Sequence, residues 1–207
     1  MKGSIYRFTR NVHLYVGLFF SPFVLVFAFS VFALVHSWLP GKEPGRPVTV
    51  SNLPLPPNLQ GLSGRALIDA IRPALDKANV HGEVGWVEHR VRQGQLVIPV
   101  TVPGRLSTVT IDMAKREASI DPQTTGLMDA LVVLHKAPGP HLVDIRMNWF
   151  YMRVWRWFAD GAVYGLILVT ASGLYLWQVL RAERTAGLIL LGAGTISFFG
   201  LIYAICH

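Results

Sequence analysis

Five of the seven histidines sit at the ends of apolar runs: His13, His36, His135, His141 and His207. Imidazole is a proton carrier, a metal ligand and the usual axial ligand of haem in membrane cytochromes of the b type. An ionisable side chain beside a bilayer is costly to keep there, so its presence points to a role. His13 and His36 are about 23 residues apart, ~35 Å of helix, which puts them at opposite faces of a bilayer and forbids a shared haem. His36 falls on the same face as His135, His141 and His207. The candidate haem ligands are His13, His36, His135 and His141. Spacing allows His36 to pair with His135 or His141, and leaves His13 without a histidine partner on its side. Each also has a plain structural reading, as a side chain that reaches the interface or hydrogen-bonds a carbonyl. His81 and His89 read as surface or sheet residues.

Other chemistry is sparse. Asp160 opens an apolar run, where it could cap a helix, pair with Arg156 one turn back, or orient a ligating histidine. Gly17, one turn after His13, would let a flat ligand or another helix approach. Gly161 and Gly165 make a small-xxx-small pair, and Gly192 and Gly200 give a similar surface. These four glycines are the expected contact with a membrane protein partner or a second copy. There is no nucleotide-binding glycine fingerprint, no His-Glu-x-x-His and no Gly-x-Ser-x-Gly. Nothing sets a nucleophile beside a base, so whether the chain is an enzyme stays open. The lone Cys206 permits no intrachain disulfide and reads as a small hydrophobe.

The elements that carry these residues are mostly apolar. Apolar residues make 52% of the 207, and charged residues only 15%, against about 25% in soluble domains. The apolar mass lies in two blocks near the ends, with an ordinary polar stretch between them. The formal charge is +7, but many arginines adjoin apolar runs. That makes the lipid bilayer the expected partner and, without zinc-finger spacing or a Lys-rich tail, argues against nucleic acid.

Residues 12–39 read as a first transmembrane helix, too long for a signal peptide's apolar region and kinked at Pro22. Residues 1–11 precede it. Residues 40–60 form a Pro-rich linker expected to be extended and stiff. Residues 61–123 read as a small α+β domain. A helix from Ser63 to about Asn79 leads into alternating runs at Val84–Val91, Gln95–Val102 and Leu106–Met113, with a short fourth strand at Glu117–Ile120. Residues 124–158 combine an amphipathic stretch with an aromatic and arginine belt, Asn148 to Phe158, typical of headgroups. Residues 159–180 and 186–206 then cross the bilayer, joined by a charged turn at 181–185. Charge on the short loops places the N-terminus in the cytoplasm and the middle domain outside it.

Three stretches carry a family likeness. They are Arg10-Asn-Val-His13-Leu-Tyr-Val-Gly17-Leu, Leu134-His135-Lys136, and Asp160 with the span ending Ser172-Gly173-Leu174-Tyr175-Leu176-Trp177. In this order they resemble the PepSY-associated transmembrane proteins, in their short form. The likeness covers most of the chain and implies a membrane α-helical protein of about three transmembrane helices with a small α+β PepSY-like extracytoplasmic domain. It also implies a multi-pass protein of the bacterial inner membrane. Longer relatives include haem-carrying membrane reductases that act on ferric siderophores, and they have four or more spans. The resemblance therefore implies a small haem b redox protein linked to iron or siderophore handling. The alternatives are a non-enzymatic membrane-anchored interaction module and a subunit of a membrane assembly.

Overall fold

The computed structural model describes residues 2–38, 41–137, 139, 143–180 and 183–206. Among them three helices are long and apolar enough to cross a membrane: α1 (Lys2–Val35), α4 (Phe150–Leu180) and α5 (Arg184–Cys206). At 1.5 Å per residue they measure roughly 51, 46 and 35 Å, against ~30 Å of hydrocarbon. The excess in α1 and α4 lies where the charges are, at Arg7 and Arg10 and at Arg153, Arg156 and Asp160. Pro22 is accommodated inside α1. None of the described side chains of α5 is buried by protein, so lipid is its solvent.

The chain divides into two compact units. One contains the residues up to Pro22 together with those from Ala162 onward; the other runs from Phe23 to Gly161.

In the helical unit, α1 and α4 meet antiparallel. Gly17 faces Val169, His13 faces Ser172 and Gly173, and the ring of Phe20 fills the space a side chain on Gly165 would need. The indole of Trp177 covers Gly187 in the same way, joining α4 to α5.

The second unit is built on an antiparallel sheet, ordered from β1 (Glu43–Pro44) through β7 (Glu117–Thr124), β6 (Arg105–Asp112) and β5 (Gln95–Val102) to β3 (Glu83–Val84). Three eight-residue strands form its centre: β5 (Gln95–Val102), β6 (Arg105–Asp112) and β7 (Glu117–Thr124). A two-residue turn with Gly104 at φ 85° joins the first two. The second turn is held by Asp112, whose Oδ1 accepts from the amides of Ala114 and Lys115 at 3.0 Å. Alternation buries Leu96, Ile98, Val100, Val109, Ile111, Ala118 and Ile120 in one core with Leu67, Ile68, Ile71, Ala74 and Leu75 of α2 (Gly64–Lys77). Ser63 stands at the start of α2, but its side chain makes no capping bond.

Three features differ from the sequence expectation. The run Val84–Val91 is not one strand. It forms β3 (Glu83–Val84) and β4 (Glu88–Arg90), both on β5. The break lies opposite Pro99, which has no N–H to offer that edge; Gly85 instead donates to the Pro99 carbonyl at 2.8 Å. The fourth strand is full length, because the proline-rich stretch supplies it with partners, β1 (Glu43–Pro44) and β2 (Val48–Val50). That stretch also sends Leu53, Leu55 and Leu59 into the core. Finally, α4 starts ten residues before Asp160. Asp160 is therefore not a helix cap; its Oδ2 lies 3.5 Å from Nε of Arg156.

Candidate functional site at the base of the sheet domain

The candidate ligands occupy separate surroundings. In the helical unit, His13 Nδ1 is 2.9 Å from Ser172 Oγ. The Ser172 hydroxyl has one hydrogen and gives it to its own helix, most closely at the Leu168 carbonyl, 2.6 Å away. Its oxygen is left to accept, so Nδ1–H donates, and Nε2 is the ring nitrogen that Ser172 does not engage. Gly173 gives the ring its room, with a would-be Cβ only 3.4 Å from Cε1. The Arg10–Leu18 and Ser172–Trp177 motifs, read separately in the sequence, are thus the two sides of one helix contact.

In the other unit, His36 lies tilted against Phe32 and Trp38 of its own segment, with ring centroids 4.2 and 5.7 Å away. His135 is near the end of α3 (Gly126–Lys136) and lies edge-on to Phe27, 5.5 Å between centroids. Phe27 and Phe32 are five residues apart on α1, hence about 7.5 Å along the axis and well round its circumference. His36 and His135 thus contact different rings of α1, Phe32 and Phe27. His141 lies outside the described residues. Among those residues no group of three or more His, Cys, Asp or Glu could hold a metal ion.

What the structure does bring together went unread in the sequence. Asn148, just before α4, is the centre of a polar knot. Its Nδ2 donates to the carbonyls of Val84 (2.7 Å) and Ile145 (2.8 Å). Its Oδ1 accepts from the Val84 amide (3.0 Å) and from Arg72 of α2 (2.9 Å). The carboxamide thereby pairs both polar groups of Val84, as a neighbouring strand would, and closes that edge of β3. Glu83, next in the strand, accepts from the amides of Asn148 (3.2 Å) and Trp149 (2.8 Å). Those amides point out of the start of α4, so a β3 carboxylate serves as the helix cap. Burial pushes the Glu83 carboxyl above the usual carboxylate range, with the backbone N–H bonds from Trp149 and Asn148 pulling the other way. Trp155 adds a second tie, donating Nε1–H to the Leu134 carbonyl of α3 at 2.9 Å.

Two cavities flank the knot and share Arg146 and Met147. One, about 200 Å³, is mainly apolar, with Val84, Val133, Ile145 and Met152 in its wall and Glu83 at one side. The other, about 620 Å³, is basic. Arg65, Arg146, Arg153 and Arg156 line it with Asp69 and Trp157.

These features define an integral membrane protein with three apolar helices and a sheet domain fastened to the start of one of them. The PepSY_TM-like family model matches residues 7–207, and the chain belongs to that family. No curated protein and no solved structure matches it.

Proposed function

We propose that this protein is a non-enzymatic interaction module of the bacterial inner membrane, with a PepSY-like domain on the periplasmic side that engages an envelope protein. One observation carries the reading. The segment from Glu83 to Arg90 holds the carboxylate that caps α4 and, three residues on, the indole of Trp86, which is 68% exposed. A partner docking on Trp86 pulls on the segment that follows β3, whose Glu83 closes the helix. Strand addition is not the mode we infer, since the central strands are flanked on both sides by β1, β2, β3 and β4. The test is photo-crosslinking in cells from a reactive residue at position 86 of the full chain. A discrete adduct, lost when the probe moves to Arg92, supports the reading. No adduct above background across growth conditions overturns it.

A second reading, haem b in a redox protein handling iron or siderophores, draws on His13. Its Nδ1–H is held by Ser172, which is how a ligating histidine is oriented for binding through Nε2. Purified protein from haem-supplied cells would show a Soret band that weakens in His13→Ala, His135→Ala or His36→Ala. A colourless protein would remove this reading. Of the glycines expected to face a partner or a second copy, Gly165 is already filled by Phe20, whereas Gly192 and Gly200 are open. A membrane assembly formed through this chain would use α5.

A further inference from the structure

We propose that the basic cleft at the base of the domain is a binding site for the phosphate of an anionic phospholipid headgroup. This rests on the membrane-spanning architecture and stands whether or not the domain has a protein partner. Four arginines, Arg65, Arg146, Arg153 and Arg156, line one cleft of about 620 Å³. Asp69 in its wall and Asp160 beside Arg156 offset only part of that charge. The arginines are differently engaged. Arg65 donates to the Arg146 carbonyl at 3.0 Å and Arg146 to the Gly139 carbonyl at 2.6 Å, which fixes both as cleft walls. Arg156 makes only a 3.5 Å contact with Asp160 and a 3.7 Å contact with the Met147 sulfur. Arg153 is exposed, and among the described residues its guanidinium has no partner. Two loosely held arginines and two anchored ones suit an anion that takes several charge-assisted bonds.

Depth argues for a lipid over free phosphate. The uninterrupted apolar run of α4 begins at Gly161. Arg156 and Trp157 are five and four residues before it, roughly 7.5 and 6 Å up the axis. The headgroup layer is about 5–7 Å thick on each side of the hydrocarbon. The cleft thus opens where lipid phosphates lie, and Trp157, 80% exposed, is at the level where indoles settle.

The test places the full chain in nanodiscs of phosphatidylcholine with one part in five phosphatidylglycerol, and counts co-purifying lipids by native mass spectrometry. Wild type is expected to retain phosphatidylglycerol above its bulk share. Each of Arg153→Gln and Arg156→Gln should lower that enrichment about fivefold, the worth of one arginine at an anionic surface. Arg92→Gln, on a turn of the domain, should leave it unchanged. Wild-type retention at the bulk ratio overturns the proposal, and so does an equal loss in Arg92→Gln, which would mean unspecific charge. A parallel titration of phosphatidylcholine nanodiscs with inorganic phosphate separates the sources. Phosphate binding that weakens in Arg153→Gln, together with phosphatidylglycerol enrichment in the mixed discs, supports the site; tight phosphate binding with no lipid enrichment in the mixed discs overturns the lipid assignment.

Discussion

Replacing Asn148 by alanine should unfasten the domain from α4. The carboxamide makes four hydrogen bonds, and its removal strips the partners from three backbone groups: Val84 N–H, Val84 C=O and Ile145 C=O. Val84 is 1% exposed and Ile145 6%. A buried backbone group left unpaired costs about 1–3 kcal/mol. Asn148 is itself half-buried, so water will reach part of the vacated space, and the low end applies: about 2–4 kcal/mol in total. For a domain of this size each kcal/mol moves the midpoint by about 4–8 °C, so the domain should melt roughly 10–25 °C lower. The measurement is thermal unfolding of the full chain in detergent, followed by hydrogen exchange in peptides spanning residues 83–90 and 145–152. Those peptides should exchange faster in Asn148→Ala at temperatures where β5 and β6 remain protected. A midpoint within about 2 °C of wild type, with unchanged exchange at Val84 and Trp149, would refute the claim that this side chain is the fastening.

Glu83 should make domain stability depend on pH. Its carboxyl is raised in the folded protein, so between the unfolded value and the folded one the native state binds the extra proton, and stability falls as pH rises through that window. Subtracting the Glu83→Gln stability profile, measured by urea unfolding, from that of wild type should expose this slope; a flat difference contradicts it. In the helical unit, His13→Ala should cost about 0.6 kcal/mol and no more than ~1.7, the range for hydrogen bonds between membrane helices; a steric-trap unfolding assay in bicelles would read it, and Ser172→Ala in the same background should add nothing. Gly165→Val should separate α1 from α4, because the added carbons collide with the Phe20 ring, and a cysteine pair engineered at Gly17 and Val169 should then cross-link more slowly than in the parent.

The parts of this fold that could be read from sequence are those governed by one-dimensional regularities. Apolar run length marks a membrane helix whatever surrounds it, and strict alternation marks Gln95–Val102 and Leu106–Met113 as strands with one buried face. What escaped were pairings between distant residues of unremarkable type. Val48–Val50 looks like linker because six prolines surround it, yet it pairs residue for residue with Ala118–Ile120. Asn148 read as the first member of a headgroup belt, and no local pattern says that its amide imitates a strand. The start of α4 was hidden for the same reason. Its cap is Glu83, 65 residues away from Asn148, whereas sequence rules look for a cap next door. The histidines show the converse. Their types invited a ligand set, and no local pattern says that His13 meets a serine and a glycine on another helix.

The motifs that mark the family also make physical sense as packing. His13 is a poor residue to place in a greasy helix unless its ring N–H is met, and Ser172 meets it. A serine in a helix normally spends its hydrogen on its own backbone, as Ser172 does at Leu168, so the oxygen is free to accept without costing the helix a bond. The ring then needs space against α4, which only the adjacent Gly173 leaves open. Trp177, one turn further, uses the gap at Gly187 to turn the chain into α5. Each member of Ser172-Gly173-x-x-x-Trp177 is therefore required by a different neighbour. That makes the motif a statement about how three helices hold together, and moves the search for function to the polar end of α4. There a carboxylate from the sheet, an asparagine that closes the sheet edge and four arginines meet just before the apolar run of α4.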